Sequence, residues 1–502
     1  MTTDTYPSTL ELHIDAMAQG GDGVGRWQGR VVFVSGALPG ETVRVQIGER
    51  RASFARGEAV EIFNPAPERV APRLAEAAHA PWQHIAYPAQ LRFKEQIVRE
   101  QLAKLAKISD PPMLPIIGAD HPWGYRNTAQ LHAEGGKLGY YAADSHSVVD
   151  LRADPLLLPV LNEALAGLRV VLEGGQQTTK GEPQATRNDG QSTVDGTSVD
   201  GTSQAAKTSV AYRGKSTGHR PPAIIQAPPA IVQASPSFVL TGITLRASER
   251  YGYAIAALEG SGDIGLLAAR WLAQVPSLAA VQVQLSGADL ADDDEDDEDA
   301  ELGEQDQPLE EGADGVALHE ELGAIVFSLN IESFFQVHTA QAERLLELVR
   351  AGLDLQPGER LLDAYGGVGT FGLPLSAGLR EVVVIEESPF AVADGERSAT
   401  LNDISNVRFI SGAVERVLPT LTGPFDAAVL DPPRRGCHPA ALAALIALAP
   451  RRVAYISCHP GILARDLGPL LAAGYQLRSV QPIDLFPQTP HIECIVLLDR
   501  QQ

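Results

Sequence analysis

From about Gln336 onward, short apolar runs that read as strands (RLLDAY, EVVVIE, VRFI, FDAAVL, RVAYIS) alternate with segments of helical character. That alternation admits few folds, because parallel strands need long crossovers and the crossover helices cover both faces of a doubly wound sheet. The last two strand candidates, YQLRSVQPID and IECIVLLD, have no helix between them, so the sheet is expected to close with a reversed hairpin. Ligands of such sheets bind outside the carboxyl ends of the strands.

Those strand ends carry the chemistry. LLDAY runs into Gly366, Gly367, Val368 and Gly369, with a helix expected from about Thr370; a turn of this kind lets backbone approach a ligand closely. The next strand ends in Glu386, about twenty residues on, where an acidic side chain can accept ribose hydroxyls. Together they point to an adenosyl ligand, and the lack of a following GK[ST] disfavours ATP. The fourth strand leads into Asp431-Pro432-Pro433-Arg434, a rigid acidic rim, and the fifth delivers Ser457-Cys458-His459-Pro460 to the same edge. A lone cysteine is usually a small buried hydrophobe. Two strand ends meeting in one crevice change that reading for Cys458.

At 502 residues the chain exceeds what one core organises, so two or three domains are expected. LELHI, RVVFVS, TVRVQI and AVEIF, between Leu10 and Phe63, alternate as in a small antiparallel barrel, with Gly20, Gly21, Gly23 and Gly25 read as hairpin glycines between strands. AQLRFKEQIVREQLAKLAKI reads as a basic amphipathic helix with Arg92, Lys94, Arg99, Lys104 and Lys107 on its polar sides. A β-rich middle segment follows, interrupted at about 174–236 by Gln/Thr/Ser/Gly/Pro-rich sequence and at about 287–316 by an acidic block. Both read as disordered insertions. The net charge of −23 argues against a phosphate-gripping surface, but fifteen of those charges fall between Asp289 and Asp314, where no Lys or Arg occurs. Three cysteines, at 437, 458 and 494, make neither a disulfide framework nor a Cys-rich metal site. No apolar run is long enough to cross a membrane and no export signal is seen, so a cytoplasmic protein is expected.

The stretch AMAQGGDGVGRWQGRVVFVSGALPGETV resembles a TRAM domain, an OB-like RNA-binding barrel. DPPRRG, YISC and DLFPQTPHIE, in that order and joined by SFFQV (Ser333 to Val337) and DAYGGVGTFGLPL, resemble the RNA uracil-C5 methyltransferase family. The resemblance implies a TRAM-like barrel over 1–65, a β-rich middle RNA-binding domain over 66–335, and a class I (Rossmann-like) α/β S-adenosylmethionine-dependent methyltransferase domain over 336–502. It implies Cys458 as the nucleophile that adds to C6 of a uridine and Glu493 as the base that removes the C5 proton. Gln336, Tyr365, Thr370, Glu386 and Asp431 fall on cofactor-contact positions, Asp431 alternatively orienting the uracil edge. The substrate is expected to be structured RNA, 23S rRNA or tRNA with ribosomal RNA favoured, and the protein a monomer without membrane contact. Many relatives bind a four-iron-four-sulfur cluster through four cysteines; here RLAEAAHAPWQH and Asp154 stand in their places, so no cluster and no other metal at His79, His84 or His132 is expected. His459, His338, Ile462 and Ala413 also depart from the family pattern. The alternative reading is a catalytically silent RNA-binding or RNA-folding factor on the same scaffold.

Overall fold

The computed structural model of the chain describes residues 6–74, 79–142, 145–176, 208–210, 238–285 and 317–501. The acidic insertion and most of the low-complexity one lie outside the described residues.

Five strands, β1 (Thr9–Met17), β2 (Gly23–Trp27), β3 (Arg30–Ser35), β4 (Thr42–Arg50) and β5 (Phe54–Ile62), close into a barrel of order β1-β2-β3-β5-β4. Period-two burial sends Leu10, Leu12 and Ile14 inward with Val32, Val34, Val43 and Val45. Gly23 and Gly25 are strand residues, a correction to their reading as hairpin glycines. They are glycines because the barrel wall is tight: a Cβ on Gly25 would collide with the His13 carbonyl oxygen, and one on Gly23 would stand 2.8 Å from that of Ala37. Gly25→Ala should therefore destabilise the barrel by ~1–3 kcal/mol, seen as faster hydrogen exchange in β1 and β2 of the full chain. Wild-type exchange would show that β2 can relax away from His13.

Helix α1 (Tyr87–Gln101) leads through a π-helical turn, Leu102–Ala106, to a segment that runs along the last sheet, where Met113 and Ile117 bridge Val480 and Ile483. The middle region holds β6 (Thr128–Glu134), β7 (Lys137–Tyr141), β8 (Val148–Asp150), α2 (Pro159–Gln176), β9 (Thr208–Val210), β10 (Phe238–Ser248), β11 (Tyr253–Gly262), α3 (Ile264–Gln274) and β12 (Leu278–Leu285), then the hairpin β13 (Ala317–Leu322) and β14 (Ile325–Asn330). Its sheet runs β8-β7-β6-β10-β11-β12-β9. The helices α2 and α3, absent from the β-rich expectation, bury Leu161, Leu165, Leu168 and Trp271 against the sheet. The three-residue strand β9, inside the stretch expected to be disordered, pairs with β12.

The C-terminal region comprises α4 (Thr339–Leu353), β15 (Arg360–Ala364), α5 (Gly372–Leu375), β16 (Glu381–Glu386), α6 (Pro389–Leu401), β17 (Val407–Ser411), α7 (Val414–Val417), β18 (Ala427–Leu430), α8 (Pro439–Leu448), β19 (Arg452–Ser457), α9 (Pro460–Ala472), β20 (Tyr475–Ile483) and β21 (Glu493–Arg500). The sheet order is β17-β16-β15-β18-β19-β21-β20, parallel except that β21 opposes both of its neighbours. Strands buried on both faces explain the near-continuous apolar runs. Because β21 is reversed, its first residue, Glu493, arrives at the edge where the parallel strands end.

Candidate active site

Three strand ends converge at that edge. In the β19/β21 register Ser457 lies opposite Cys494, which sets Cys458, the next residue of one strand, beside Glu493, the preceding residue of the other. Strand β18 neighbours β19, with Leu430 opposite Tyr455, and so brings Asp431 to the same place. Gln336 enters from the segment before α4 and its amide donates to Asp431 Oδ2 at 3.4 Å. Gln336, Asp431, Cys458 and Glu493 thus form one group.

This group is crowded and short of positive charge. Burial, then the charges of Glu493 and Asp431, push the Cys458 thiol up to about 11, opposed by the Arg434 guanidinium. A thiol raised in this way is mostly protonated near neutral pH. Burial, reinforced by Asp431, also holds the Glu493 carboxyl well above the usual carboxylate range. Its Oε1 is shielded and has no partner among the described residues. Burial pushes the Asp431 carboxyl up as well. Two neighbouring carboxyls do not both ionise readily, which acts in the same direction as burial on Glu493.

The second group surrounds the glycine turn. Glu386 Oε2 accepts from the Gly367 N–H at 2.9 Å and Oε1 from the Ser388 N–H at 2.8 Å, each oxygen keeping acceptor capacity for a ligand hydroxyl. Gly366 lacks room for a Cβ, which would stand 2.5 Å from Val384 Cγ1. Thr370 is buried where the chain turns toward α5. Tyr365, left-handed with φ 61°, aims its hydroxyl at the His438 N–H, 3.4 Å away, beside a largely apolar cavity of about 510 Å³.

Two residues escaped the sequence reading. Asp363 is fully buried near the end of β15, its Oδ2 accepting from the Gly372 N–H at 2.7 Å while Oδ1 has no partner among the described residues; burial pushes it up to about 7. An acid inside the apolar run LLDAY was the available signal. Arg434 is the cation whose charge opposes the rise at Cys458, and one of its nitrogens lies 3.4 Å from His491 Nε2. DPPRRG contains it, but only the fold shows what it faces.

A cleft of about 960 Å³ between the C-terminal and middle regions is lined by Tyr125, Arg126, Arg246, Phe334 and His491 among others, and reaches Val337 and His491, close in sequence to Gln336 and Glu493. Phe334, in SFFQV, is 65 % exposed.

At the place where relatives hold iron and sulfur, the residues do not fit a cluster. Asp154 is buried and committed: His79 lies 3.3 Å away, the Tyr140 hydroxyl donates at 3.2 Å, and the Leu156 N–H at 2.8 Å. No thiolate is available there, all three cysteines lying between 437 and 494. His84 is driven down to about 4 by burial and the Arg69 charge, and His132 stacks on Tyr141. No set of three metal-ligating side chains occurs among the described residues. Nor is any described helix long and apolar enough to cross a membrane.

Residues 318–501 match the family described as tRNA (Uracil-5-)-methyltransferase, and residues 8–60 match the TRAM domain. An RNA methyltransferase of Thermosynechococcus vestitus is 34 % identical, covering 98 % of each chain. One of Gloeobacter violaceus is also 34 % identical, covering 98 % of this chain and 96 % of its own. Among solved structures, the Pyrococcus abyssi tRNA (uracil-54, C5)-methyltransferase in complex with S-adenosyl-L-homocysteine is similar in fold, with a TM-score of 0.64, 20 % identity, and coverage of 97 % of this chain and 100 % of that one. The chain belongs to the TRAM-bearing RNA methyltransferase family of the uracil-5 type.

Proposed function

We propose that the protein methylates C5 of a uridine in structured RNA through a covalent bond between Cys458 and C6 of the base. The observation that carries this reading is the meeting of Cys458, Glu493 and Asp431 at the ends of three adjacent strands. Uracil C5 is too weak a nucleophile to take a methyl group unaided. The Cys458 thiol passes its proton to a neighbouring carboxylate as its sulfur bonds to C6, and the C5–C6 π electrons move into the C5–C4–O4 system. C5 then takes the methyl group, Glu493 removes the C5 proton, and the C6–S bond breaks to return the thiolate.

S-adenosylmethionine, the methyl donor in this reading, supplies a methyl group on a positively charged sulfur. The residues present fit it: Glu386 keeps acceptor capacity beside the close-approach turn at Gly366, and Thr370 follows on that turn. Asp431, at the end of the strand between that turn and Cys458 and hydrogen-bonded by Gln336, offers a carboxyl that can oppose the charge of a sulfonium. The target base must leave its stack at a cost of roughly a few kcal/mol, and the exposed Phe334 in the adjoining cleft offers it an aromatic face.

By analogy with TRAM-bearing relatives, the substrate is ribosomal RNA in preference to tRNA, and the protein acts as a cytoplasmic monomer. The barrel over 1–65, the middle domain over 66–335 and the methyltransferase domain over 336–502 are the units we assign. Mass spectrometry after incubation with 5-fluorouridine-substituted 23S rRNA and S-adenosylmethionine tests the mechanism, because fluorine at C5 blocks the final proton removal. A methylated protein–RNA adduct is expected with wild type and none with Cys458→Ala. An adduct that survives the substitution, or no adduct with RNA and cofactor both bound, overturns the assignment, the latter in favour of a silent RNA-binding factor.

A further inference from the structure

The loop joining β1 to β2, residues 18–22, lies far in sequence from the chemistry and touches both catalytic loops. It is a tight turn, with the Ala18 N–H donating to the Asp22 carbonyl at 2.8 Å and the Gly21 N–H to the Ala18 carbonyl at 3.1 Å. Gly21 has φ +100° and no room for a side chain, since a Cβ would stand 2.8 Å from both Pro490 Cβ and Trp82 Nε1. Its carbonyl accepts from Trp82 Nε1 at 3.2 Å. The turn thereby presses on Pro490, three residues before Glu493. One residue earlier along the same turn from Gly20, the Gln19 amide reaches His459, the residue after Cys458, at 2.8 Å from Nε2 and 3.1 Å from Nδ1.

The hydrogen bonds around His459 fix what Gln19 does. His459 Nδ1 accepts from the Ile462 N–H at 3.1 Å and so caps α9, while the His459 N–H donates to Ser457 Oγ at 3.2 Å. With Nδ1 an acceptor, the neutral ring carries its proton on Nε2 and needs an acceptor there. The amide nitrogen of Gln19 is the atom placed against the ring; a half-turn about the last side-chain bond exchanges it for Oε1, and in that orientation Gln19 accepts from Nε2–H. The ring is thus held between the α9 cap and the barrel, and the backbone on either side of Cys458 is held with it.

We propose that Gln19 is a positioning residue for the nucleophile: the barrel, through Gln19 and His459, fixes the loop that presents Cys458. The proposal rests on the Cys458 reading given above. It assigns the barrel a task inside the active site in addition to RNA binding.

The test compares full-length wild type, Gln19→Ala and Gln19→Glu, whose carboxylate still accepts from Nε2–H. Four quantities are read: affinity for the 5-fluorouridine-substituted 23S rRNA, the single-turnover rate of adduct formation, the rate of Cys458 alkylation by iodoacetamide without RNA, and the melting temperature. Gln19→Ala should slow adduct formation about tenfold, as expected when a reacting group is misplaced, with RNA affinity and melting temperature unchanged. It should also change the alkylation rate at least about threefold on the same ground. Gln19→Glu should restore most of the adduct rate. Wild-type alkylation and adduct rates in Gln19→Ala would overturn the proposal, as would a loss that merely follows weakened RNA binding or a lowered melting temperature. If wild type itself forms no adduct, the mechanism fails, and an unchanged alkylation rate in Gln19→Ala still decides separately against the contact.

Discussion

Glu493→Gln is expected to stop turnover while leaving a methylated adduct on Cys458 that accumulates with ordinary, unfluorinated RNA. Glu493 opens β21 beside Cys458, and in the proposed mechanism it takes the C5 proton once C5 carries its methyl group. Without a base the C6–S bond cannot break, so the defect falls after methyl transfer. Loss of a positioned general base costs about 10²–10⁴-fold in rate. Denaturing gels should therefore show a stable protein–RNA band for Glu493→Gln and little for wild type. A variant that turns over normally would give the base role to another group, Asp431 being the neighbour that shares its environment.

The same substitution separates the two carboxyl effects on the thiol. Burial comes first in raising Cys458 to about 11, and the Glu493 charge comes next. Below that value the thiolate fraction grows tenfold per pH unit, so alkylation of Cys458 should climb with that slope between about pH 7 and 9. A thiol pushed up by a neighbouring negative charge comes down when the charge is removed. Because the Glu493 carboxyl is itself held well above the usual range, Glu493→Gln should speed alkylation only toward the alkaline end of that window, where Glu493 is ionised, even as it stops turnover.

Much of this site could be read from sequence because its residues sit at the ends of strands whose apolar runs are continuous. LLDAY, FDAAVL and RVAYIS announce themselves, and whatever follows each run falls at one edge. The reversed β21 was legible for the same reason, since no helix fits between YQLRSVQPID and IECIVLLD. Long-range contacts were not legible. Nothing in the sequence links Gln19 to His459, 440 residues away, or shows that Arg434 opposes the raised thiol. The helix α2 was missed although Leu161, Leu165 and Leu168 follow helical spacing, because its neighbours alternate like strands and drew the whole segment into one reading. Gly23 and Gly25 read as turn residues because a glycine required by another strand's carbonyl looks the same in sequence as one required by a turn.

The polar side of α1 was also misread at one residue, and the correction carries the largest expected effect on stability. Lys94, placed by its sequence among the exposed basic residues of an amphipathic helix, is fully buried, with Nζ 2.6 Å from Asp484 Oδ1 and 3.0 Å from the Phe486 carbonyl. Asp484 is equally buried and also accepts from the Tyr87 hydroxyl at 2.9 Å. Four residues before Lys94, Gln90 exchanges two hydrogen bonds of 2.9 Å with Gln488. The helix therefore clamps the segment from Asp484 to Gln488 that leads to Glu493. Lys94→Met should cost about 3–5 kcal/mol, because it leaves the Asp484 charge buried without its cation. Replacing Asp484 by Leu in the same chain should recover part of that loss by removing the stranded charge, while Tyr87 still loses its acceptor. Urea unfolding of the two single variants and the double variant measures the coupling. A single-variant cost below about 1 kcal/mol would mean that water reaches the pair as it reaches an exposed one, and the clamp would then rest on Gln90 and Gln488. If the pair is dry, Lys94→Met should also slow methylation without weakening RNA binding, since what it releases is the loop that holds the base.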